Sequence, residues 1–148
     1  MISQQILRIG DPGFTKLNRF LTPVEGAVIA YGTIQKTVSY LDTENRMYAN
    51  PCSLDFLSMA GHIEDTASNS TMAAANMRRI IDNLYYMAAI ELMHAAQAVD
   101  LRENPMLGEG TKPLFESYRK VVPYLDNDRN MSVDIQKTYE FLKSYKTE

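Results

Sequence analysis

The chain has 148 residues, the size of one ordinary domain, with 45% apolar and 22% charged residues. This balance excludes a disordered tail, which would have fewer apolar residues and a larger net charge. The net charge of −3 provides no basic surface for a phosphate backbone, so we expect no nucleic-acid partner.

The cysteine content and the termini bear on location. Cys52 is the single cysteine and predicts no internal disulfide, and residues 1–5 lack the pattern of a signal peptide. We therefore expect a cytoplasmic protein. The most apolar stretch, 84–99, contains Glu91 and His94 and is shorter than the roughly 20 residues that cross a bilayer. We expect a buried helix there and no membrane partner.

The first elements are predicted to be helices. Residues 1–9 form a weakly periodic helix that ends at the turn Gly10–Gly13. Thr22-Pro23-Val24-Glu25 combines the cap residue, the proline and the acidic residue typical of a helix start. Apolar residues then recur at helical spacing. The pattern predicts a helix over 23–46, which Asn50-Pro51 separates from the next element.

A loop and a long helix follow. From 50 to about 64, turn-forming residues alternate with apolar ones, which predicts an ordered loop of the kind that carries functional groups. The next helix is predicted from Asp65 or Thr66 to Ala98. Beyond Leu84 it is apolar on almost every side, as expected of a central helix. A length of about 50 Å is large for a compact domain of this size, so we expect this helix to need partners.

Two shorter helices complete the chain. One begins near Pro113 and is stopped by Pro123, and the other is capped by Ser132. The inward residues of the last helix are predicted to be Ile135, Tyr139 and Leu142. The sequence contains no credible set of strands. It predicts a single all-α domain over 1–148, an antiparallel helical bundle with one long central helix.

Glu91 and His94 form a Glu-x-x-His pair on the long helix. Two such pairs and two further glutamates build a di-iron site in some four-helix bundles. This sequence contains one such pair, and His62 is the only other histidine. One hypothesis is a small metalloprotein that uses Glu91 and His94. The other, which we prefer, is that both residues contact neighbouring helices or each other and that the chain has no metal site.

His62, Glu64 and Asp65 place an imidazole and two carboxylates within four residues, directly before the long helix. Acidic residues are also typical of helix N-termini, because they interact favourably with the helix dipole and the free N–H groups. The residues alone leave two interpretations open, a helix cap and a functional site.

The order of residues along the chain carries a further signal. Pro51-x-Ser53-x-Asp55 is followed after eight residues by Glu64-Asp65 and then by Met72-Ala73-Ala74. The pieces that extend this pattern over nearly the whole chain are Gln35, Glu44-Asn45, Ala89–Leu92, Ala95–Gln97, Asp100–Arg102, Pro123–Arg129 and Asp134-Ile135. Their order and spacing resemble the C-terminal part of histidine ammonia-lyase, so the helical bundle is expected to resemble that part of the lyase fold.

The resemblance implies an enzyme of histidine catabolism that removes ammonia from histidine to give urocanate. In this family a methylidene-imidazolone electrophile, formed from an internal Ala-Ser-Gly, activates the leaving group while a base takes the β-proton. The sequence contains no Ala-Ser-Gly, and Ala67-Ser68-Asn69 is the nearest string. We therefore expect no cofactor in this chain, the prosthetic group on a missing N-terminal part, and no activity of the chain alone.

The resemblance assigns a role to Glu64, because the matching glutamate of histidine-type lyases faces the electrophile and the substrate. A carboxylate accepts a hydrogen bond from an imidazole or ammonium N–H more strongly than the glutamine of phenylalanine- and tyrosine-type relatives does. We expect Glu64 to be catalytic and substrate-binding in a complete enzyme, with His62 as a second substrate-binding residue. His62-Ile63 replaces the Asn-Gln of the family and Thr66 replaces its histidine, which makes this polar shell partly apolar.

Lyases of this family are homotetramers whose central helices bundle across subunits. The resemblance thus implies a homo-oligomer or a separate N-terminal lyase half as partner, and an amino acid as the small-molecule substrate of the complete enzyme. The alternative is a non-catalytic helical oligomerisation protein derived from the lyase. The changes to Ile63 and Thr66, together with the intact apolar helix, would fit that alternative.

Overall fold

The computed structural model of the chain describes residues 2–26, 28–54, 60–63 and 68–145. Within these ranges every regular element is helical, which confirms the all-α prediction. Two short 3₁₀ turns lie at Arg19–Leu21 and Ala30–Gly32. The α-helices of the described ranges are α1 (Ile2–Ile9), α2 (Pro12–Thr15), α3 (Ile34–Tyr48), α4 (Ser70–Asp100), α5 (Thr111–Arg119) and α6 (Met131–Ser144).

The helix α4 is the centre of the fold, and α3 runs antiparallel to it. The side-chain amide of Asn45 contacts the sulfur of Met87 at 3.7 Å. One turn further along α3, the guanidinium of Arg79 lies 5.2 Å from the centre of the Tyr48 ring. Residue numbers rise along α3 while those of their partners fall along α4, so the two helices have opposite directions.

The last helix, α6, also packs antiparallel to α4. Tyr86 donates a hydrogen bond to Gln136 at 3.1 Å, and the Lys143 ammonium, two turns later on α6, lies 3.7 Å from the Asp82 carboxylate. These pairings confirm the antiparallel bundle with one long central helix.

Burial changes sharply along α4. Met87, Ile90 and Met93 in its C-terminal half are at most 2% exposed, whereas Met72 and Met77 in its N-terminal half are 59% and 63% exposed. The 31 residues of α4 span about 46 Å. The apolar run that the sequence placed at the centre is therefore buried mainly from Met87 onward.

The predicted helix over 23–46 is wrong in its first part, because α3 begins at Ile34 and ends at Tyr48. Thr22 is buried and ends the first 3₁₀ turn, so it does not cap a helix. Gly26 has a φ of +79°, which lies outside the right-handed helical region.

A contact with a distant residue holds this segment away from a helix. The carboxylate of Asp128 accepts hydrogen bonds from the backbone N–H groups of Ile29, at 3.0 Å, and Ala30, at 2.8 Å. Because a charged acceptor makes strong hydrogen bonds, this tertiary contact overrides the local helix-start signal of Thr22-Pro23-Val24-Glu25.

Arg129 closes the loop before α6. Its guanidinium donates to Asp134 at 2.7 Å and to the carbonyl oxygens of Tyr124, at 2.9 Å, and Pro123, at 2.8 Å. The stretch Pro123–Arg129, which carries part of the sequence resemblance, is thus a structural latch that joins the loop to α6.

The remaining helix ends differ from prediction by a few residues. The helix α4 begins at Ser70, and residues 64–67, where the sequence placed its start, lie outside the described ranges. The cap of α6 is Asn130, whose side chain accepts a hydrogen bond from the Ser132 N–H at 3.1 Å, so the prediction of Ser132 as cap is wrong.

The inward face of α6 is more polar than predicted. Asp134 and Thr138 are 4% and 0% exposed, and the Thr138 hydroxyl lies 3.0 Å from the buried hydroxyl of Tyr118. The residues predicted to point inward are half-buried, namely Ile135, Tyr139 and Leu142. A satisfied hydrogen-bond network replaces the expected apolar stripe.

Candidate active site

The segment between α3 and α4 contains the site residues predicted from the sequence. Glu64 and Asp65 lie outside the described residues. His62 is described and exposed, in a turn where Ala60, Gly61 and His62 have φ values of 52°, 67° and 71°. Left-handed backbone is unfavourable for residues other than glycine. The turn therefore holds His62 in a conformation that a side-chain-bearing residue adopts only at a cost.

Both ends of this segment are tied together at the start of α4. The side-chain amide of Asn69 donates a hydrogen bond to the Cys52 carbonyl at 2.8 Å. Asn76, two turns further along α4, places its amide nitrogen 3.6 Å from the Cys52 sulfur. Cys52 is thus held through its main chain and its side chain.

A cluster of polar side chains joins α3 to α4 beside this segment. Asn83 donates to Glu44 at 2.7 Å and to the side-chain oxygen of Asn45 at 3.0 Å. Glu44 also accepts hydrogen bonds from Tyr40 and Tyr48, each at 3.3 Å. The Glu44 carboxylate raises the pKa of the exposed Tyr40 hydroxyl, because ionised Tyr40 would be a like charge. The carboxylate of Glu44 is therefore fixed by three donors.

Sequence reasoning included Glu44-Asn45 only as part of a resemblance and did not single out Asn83. The available signal was an asparagine directly before the apolar stretch 84–99 of α4. An amide in such a place needs hydrogen-bond partners on the neighbouring helix.

An open groove of about 730 Å³ runs along this cluster. Its far wall is Lys143 of α6, whose ammonium donates to the Tyr139 hydroxyl and lies 4.5 Å from the centre of that ring. Tyr139 in turn donates to Asp82. The residues lining the groove are Glu44, Tyr48, Arg78, Arg79, Ile81, Asp82, Asn83, Tyr85 and Lys143.

The chemistry of the groove is that of binding and orientation. The hydrogen bond to Tyr139 raises the pKa of Lys143, so its ammonium stays protonated at neutral pH and does not act as a base. Three basic and two acidic side chains line the groove. The groove is therefore suited to contact a polar or zwitterionic surface that does not belong to the described residues.

The pair Glu91 and His94 is arranged as part of the core. His94 is 1% exposed, and its Nδ1–H donates to the Ile90 carbonyl at 2.8 Å. Burial lowers the pKa of His94 to about 4, and burial raises the pKa of the half-buried Glu91 carboxyl. Among the described residues no group of three His, Cys, Asp or Glu side chains is placed to hold a metal ion.

The electrophile that the resemblance implies does not fit this chain. It forms from Ala-Ser-Gly, and the nearest string is Ala67-Ser68-Asn69, in which asparagine replaces the glycine whose N–H closes the ring. The residues present therefore do not match the precursor of this group.

Comparison with known proteins decides the family. The sequence pattern of the aromatic amino acid lyases matches residues 1–120. The chain belongs to the aromatic amino acid lyase family. Histidine ammonia-lyase of Alkaliphilus metalliredigens is 34% identical over 143 residues, and the match covers 97% of this chain and 28% of that protein.

Two solved structures share the fold of this family member. The ergothioneine-degrading enzyme ergothionase from Treponema denticola, crystallised with desmethyl-ergothioneine sulfonic acid, is 53% identical with a TM-score of 0.91, over 97% of this chain and 29% of that one. Histidine ammonia-lyase from Trypanosoma cruzi is 27% identical with the same TM-score, over 97% of this chain and 28% of that one.

The match covers only part of the length of these relatives. The chain spans somewhat more than a quarter of the lyases that it matches. No helix among the described residues is both long and apolar enough to cross a membrane. The fold of this aromatic amino acid lyase segment is thus established.

Proposed function

We propose that this chain is the C-terminal helical part of a lyase that eliminates an amine from an imidazole-bearing amino acid, and that ergothioneine is its substrate. The observation that carries the proposal is the identity of 53% to ergothionase, against 34% and 27% to two histidine ammonia-lyases over the same share of the chain. Histidine, the substrate expected from the sequence resemblance, is the second candidate.

The two substrates differ in the group that leaves. In both, a base removes a proton from the β-carbon, a double bond forms to the α-carbon, and the bond from the α-carbon to nitrogen breaks with its electron pair going to nitrogen. Histidine releases ammonia in this reaction. Ergothioneine, the trimethylammonium betaine of 2-thiohistidine, releases trimethylamine.

The leaving group is where the residues of this chain support the choice. A trimethylammonium group has no N–H to donate, so hydrogen-bond acceptors around it would lose their partners and apolar groups are favoured instead. The sequence replaces the polar Asn-Gln and His of histidine-type lyases by His62-Ile63 and Thr66. The apolar replacement next to Glu64 in the sequence, Ile63, supports a substrate whose leaving group cannot donate a hydrogen bond.

Glu64 and His62 have separate roles in the proposal. Glu64 accepts a hydrogen bond from the ring N–H of the substrate, which both candidate substrates possess. His62, which is exposed in the turn 60–63, contacts the substrate as a second binding residue. For histidine, the electrophile that activates the amine would come from the N-terminal part of the lyase. The trimethylammonium nitrogen of ergothioneine has no lone pair to bond to that group and leaves as neutral trimethylamine. For either substrate the base and the rest of the active site lie outside this chain, so we expect the chain alone to be inactive.

The proposal includes the location and the partners expected from the sequence. The enzyme acts in the cytoplasm as an oligomer, and residues 1–148 form one domain within it. The partner is a further copy of the chain or a separate N-terminal lyase half, and the exposed apolar side chains of α4 support either contact.

A reconstitution experiment tests the function. The chain is produced alone and together with the N-terminal part of Treponema denticola ergothionase, and release of trimethylamine from ergothioneine and of ammonia from histidine is measured. We expect no release by the chain alone, and a kcat/KM for ergothioneine in the complex at least about tenfold above that for histidine.

Variants of the chain test the assignment of Glu64. In the complex, Glu64→Gln is expected to lower kcat/KM by about tenfold or more because the charged acceptor is lost. The exposed Glu109, changed to glutamine, is the control. A preference for histidine would favour the second candidate. Release of neither amine by an assembled complex would contradict lyase function and favour the non-catalytic oligomerisation protein.

A further inference from the structure

Two tyrosine rings and a carboxylate form a corner where α4 faces α6. The rings of Tyr85 and Tyr139 have their centres 6.2 Å apart and stand at 72° to each other. The ring of Tyr86 stacks on Tyr139, at 4.3 Å and 19°, which fixes the orientation of Tyr139. Asp82, on α4, accepts a hydrogen bond from the Tyr139 hydroxyl. Tyr85, Tyr139 and Asp82 are called the aromatic corner below.

The aromatic corner already holds a positive charge. The Lys143 ammonium lies 4.5 Å from the centre of the Tyr139 ring and 5.5 Å from the centre of the Tyr85 ring. It also lies 3.7 Å from the Asp82 carboxylate. A cation within about 6 Å of a ring centre is attracted by the negative face of the ring. The position of Lys143 therefore shows that the aromatic corner accommodates a cation.

Lys143 is an occupant that another cation can replace. The side chains of Lys143 and Asp82 are 48% and 49% exposed, and Lys143 lies in the last turn of α6, which ends at Ser144. Ion pairs as exposed as this one contribute little to stability, because water solvates both charges. The flexible stem of lysine lets the ammonium move into solvent while the helix stays in place. Displacement of Lys143 therefore leaves the fold intact.

The class of ligand follows from the groups that form the aromatic corner. Methylated ammonium ions are held in proteins by the faces of aromatic rings. The ammonium of lysine is compact and strongly hydrated, whereas methyl groups shield the charge of a methylated ion from water. The aromatic corner opens on the groove of about 730 Å³, which Tyr85, Asp82 and Lys143 line. A small methylated cation can thus enter from solvent and contact both rings and the carboxylate.

We propose that the aromatic corner of Tyr85, Tyr139 and Asp82 is a binding site for small methylammonium ions, and that Lys143 competes with them for it. Trimethylamine, which the proposed reaction releases from ergothioneine, is protonated at neutral pH and belongs to this class. The site therefore binds the product of that reaction. Binding itself does not depend on the reaction, because every group of the site belongs to this chain.

The first measurement is a titration of the 148-residue chain with tetramethylammonium chloride. Backbone amide shifts are followed by NMR, with sodium chloride at equal ionic strength as the reference. We expect saturable shifts around Tyr85 and Tyr139, with a Kd on the order of 10 mM. Ammonium chloride should bind at least about threefold more weakly, because its ion is strongly hydrated. Shifts that do not saturate in either wild type or Lys143→Ala would overturn the proposal.

The variant Lys143→Ala tests the competition. Removal of the resident ammonium should lower the Kd for tetramethylammonium by at least about threefold. Lys120→Ala is the matched control, because it removes an equal charge from another exposed lysine, and its Kd should stay within about 1.5-fold of wild type. Equal changes in the two variants would mean that only the net charge matters, which would overturn the competition by Lys143.

Variants of Tyr85 test the aromatic face. Tyr85 is 39% exposed, so the fold should tolerate its replacement, which circular dichroism verifies. Tyr85→Leu removes the ring and should raise the Kd by at least about threefold, whereas Tyr85→Phe keeps the ring and should stay within about twofold of wild type. Asp82→Asn, which keeps the size and removes the charge, should also raise the Kd by about threefold. Unchanged affinity in both Tyr85→Leu and Asp82→Asn would contradict binding at the aromatic corner.

The titrations are independent of lyase activity, because they use the chain alone. If the chain binds tetramethylammonium while the reconstituted complex releases neither amine, the binding site is supported and the proposed function is wrong. If the complex releases trimethylamine from ergothioneine but the chain does not bind tetramethylammonium, the binding site is overturned and the proposed function stands.

Discussion

The carboxylate of Asp128 lies 2.8 Å from the backbone nitrogen of Ala30, 98 residues earlier in the chain. The same carboxylate accepts a second hydrogen bond from Ile29. Because Ala30 is buried and Asp128 belongs to the latch before α6, this contact joins the first and last thirds of the sequence.

We predict that Asp128→Ala lowers the free energy of unfolding by about 1–3 kcal/mol, since it leaves the buried N–H of Ala30 without its acceptor. Urea denaturation monitored by circular dichroism measures the change. The exposed Asp126, changed to alanine, is the control two residues away. Equal losses in the two variants would mean that the Asp128 hydrogen bonds contribute nothing specific.

A second prediction concerns Gln97, which is fully buried in α4. Its amide donates to the Leu125 carbonyl at 2.9 Å and accepts from the Leu125 N–H at 3.1 Å, and it approaches the Leu21 carbonyl at 3.4 Å. Gln97→Met keeps the volume but strands the main-chain groups of Leu125, so we expect a loss of about 2–4 kcal/mol. Thermal unfolding measures it, and Gln136→Met on the exposed surface of α6 is the comparison. A Gln97→Met protein as stable as wild type would contradict the role of this amide.

A third prediction follows from the buried His94. Burial lowers its folded-state pKa from 6.5 to about 4. Between these two values the unfolded chain binds a proton that the folded chain excludes, so stability is full above about pH 6.5 and falls as the pH decreases toward 4. Each pH unit in this window removes up to about 1.4 kcal/mol.

The variant His94→Phe tests this pH dependence, because phenylalanine keeps a ring against Tyr31, whose ring centre lies 4.5 Å from that of His94. Glu91, whose pKa burial raises, acts in the opposite direction. The free energy of unfolding of each protein is measured by urea at several pH values from 4 to 7. Subtracting the value for the variant from that for wild type at each pH removes the contribution of Glu91. We expect wild type to lose stability relative to His94→Phe as the pH falls, and parallel curves would contradict the assignment.

A fourth prediction concerns self-association through the N-terminal half of α4. Met72, Met77 and Ile81 are 59%, 63% and 46% exposed. Met77→Glu should weaken the assembly of the chain by about tenfold or more, because burying a methionine favours association and burying a carboxylate opposes it. Sedimentation velocity over a concentration series measures this. Met106→Glu is the control, since Met106 is 97% exposed outside any helix. A wild-type chain that stays monomeric at every concentration would refute the prediction.

The sequence predicted the elements whose signals are local and redundant. The long helix α4 and the break at Pro123 follow from apolar periodicity and from proline, which act within a few residues. The helix start at Thr22 was wrong because the segment after it is held by Asp128, far away in sequence, which binds the N–H groups of Ile29 and Ala30. The predicted inward face of α6 was incomplete for a related reason, because the hydroxyl of the buried Thr138 is satisfied by Tyr118 on another helix.

In the candidate site, too, residues with a local sequence signal were predicted and residues defined by distant contacts were not. Glu64 and His62 were singled out from residue order, and their assignment stays a prediction. Asn69 and Asn83 were not, because an asparagine has no functional signature until its partners, Cys52 and Glu44, are known in space. Contacts between residues far apart in sequence carry the information that a single sequence does not express.

Because the two halves of α4 are buried to different extents, we expect their backbone amides to exchange hydrogen at different rates. Amides near Met93 are enclosed by the bundle and exchange only when the whole domain opens, whereas those of the first turns, near Met72, lie where every side chain faces water. A solitary helical extension has little stability of its own. Slow exchange near Met72 therefore reports that another protein surface is bound to the first turns of α4. Such binding would protect those amides without altering the rest of the chain.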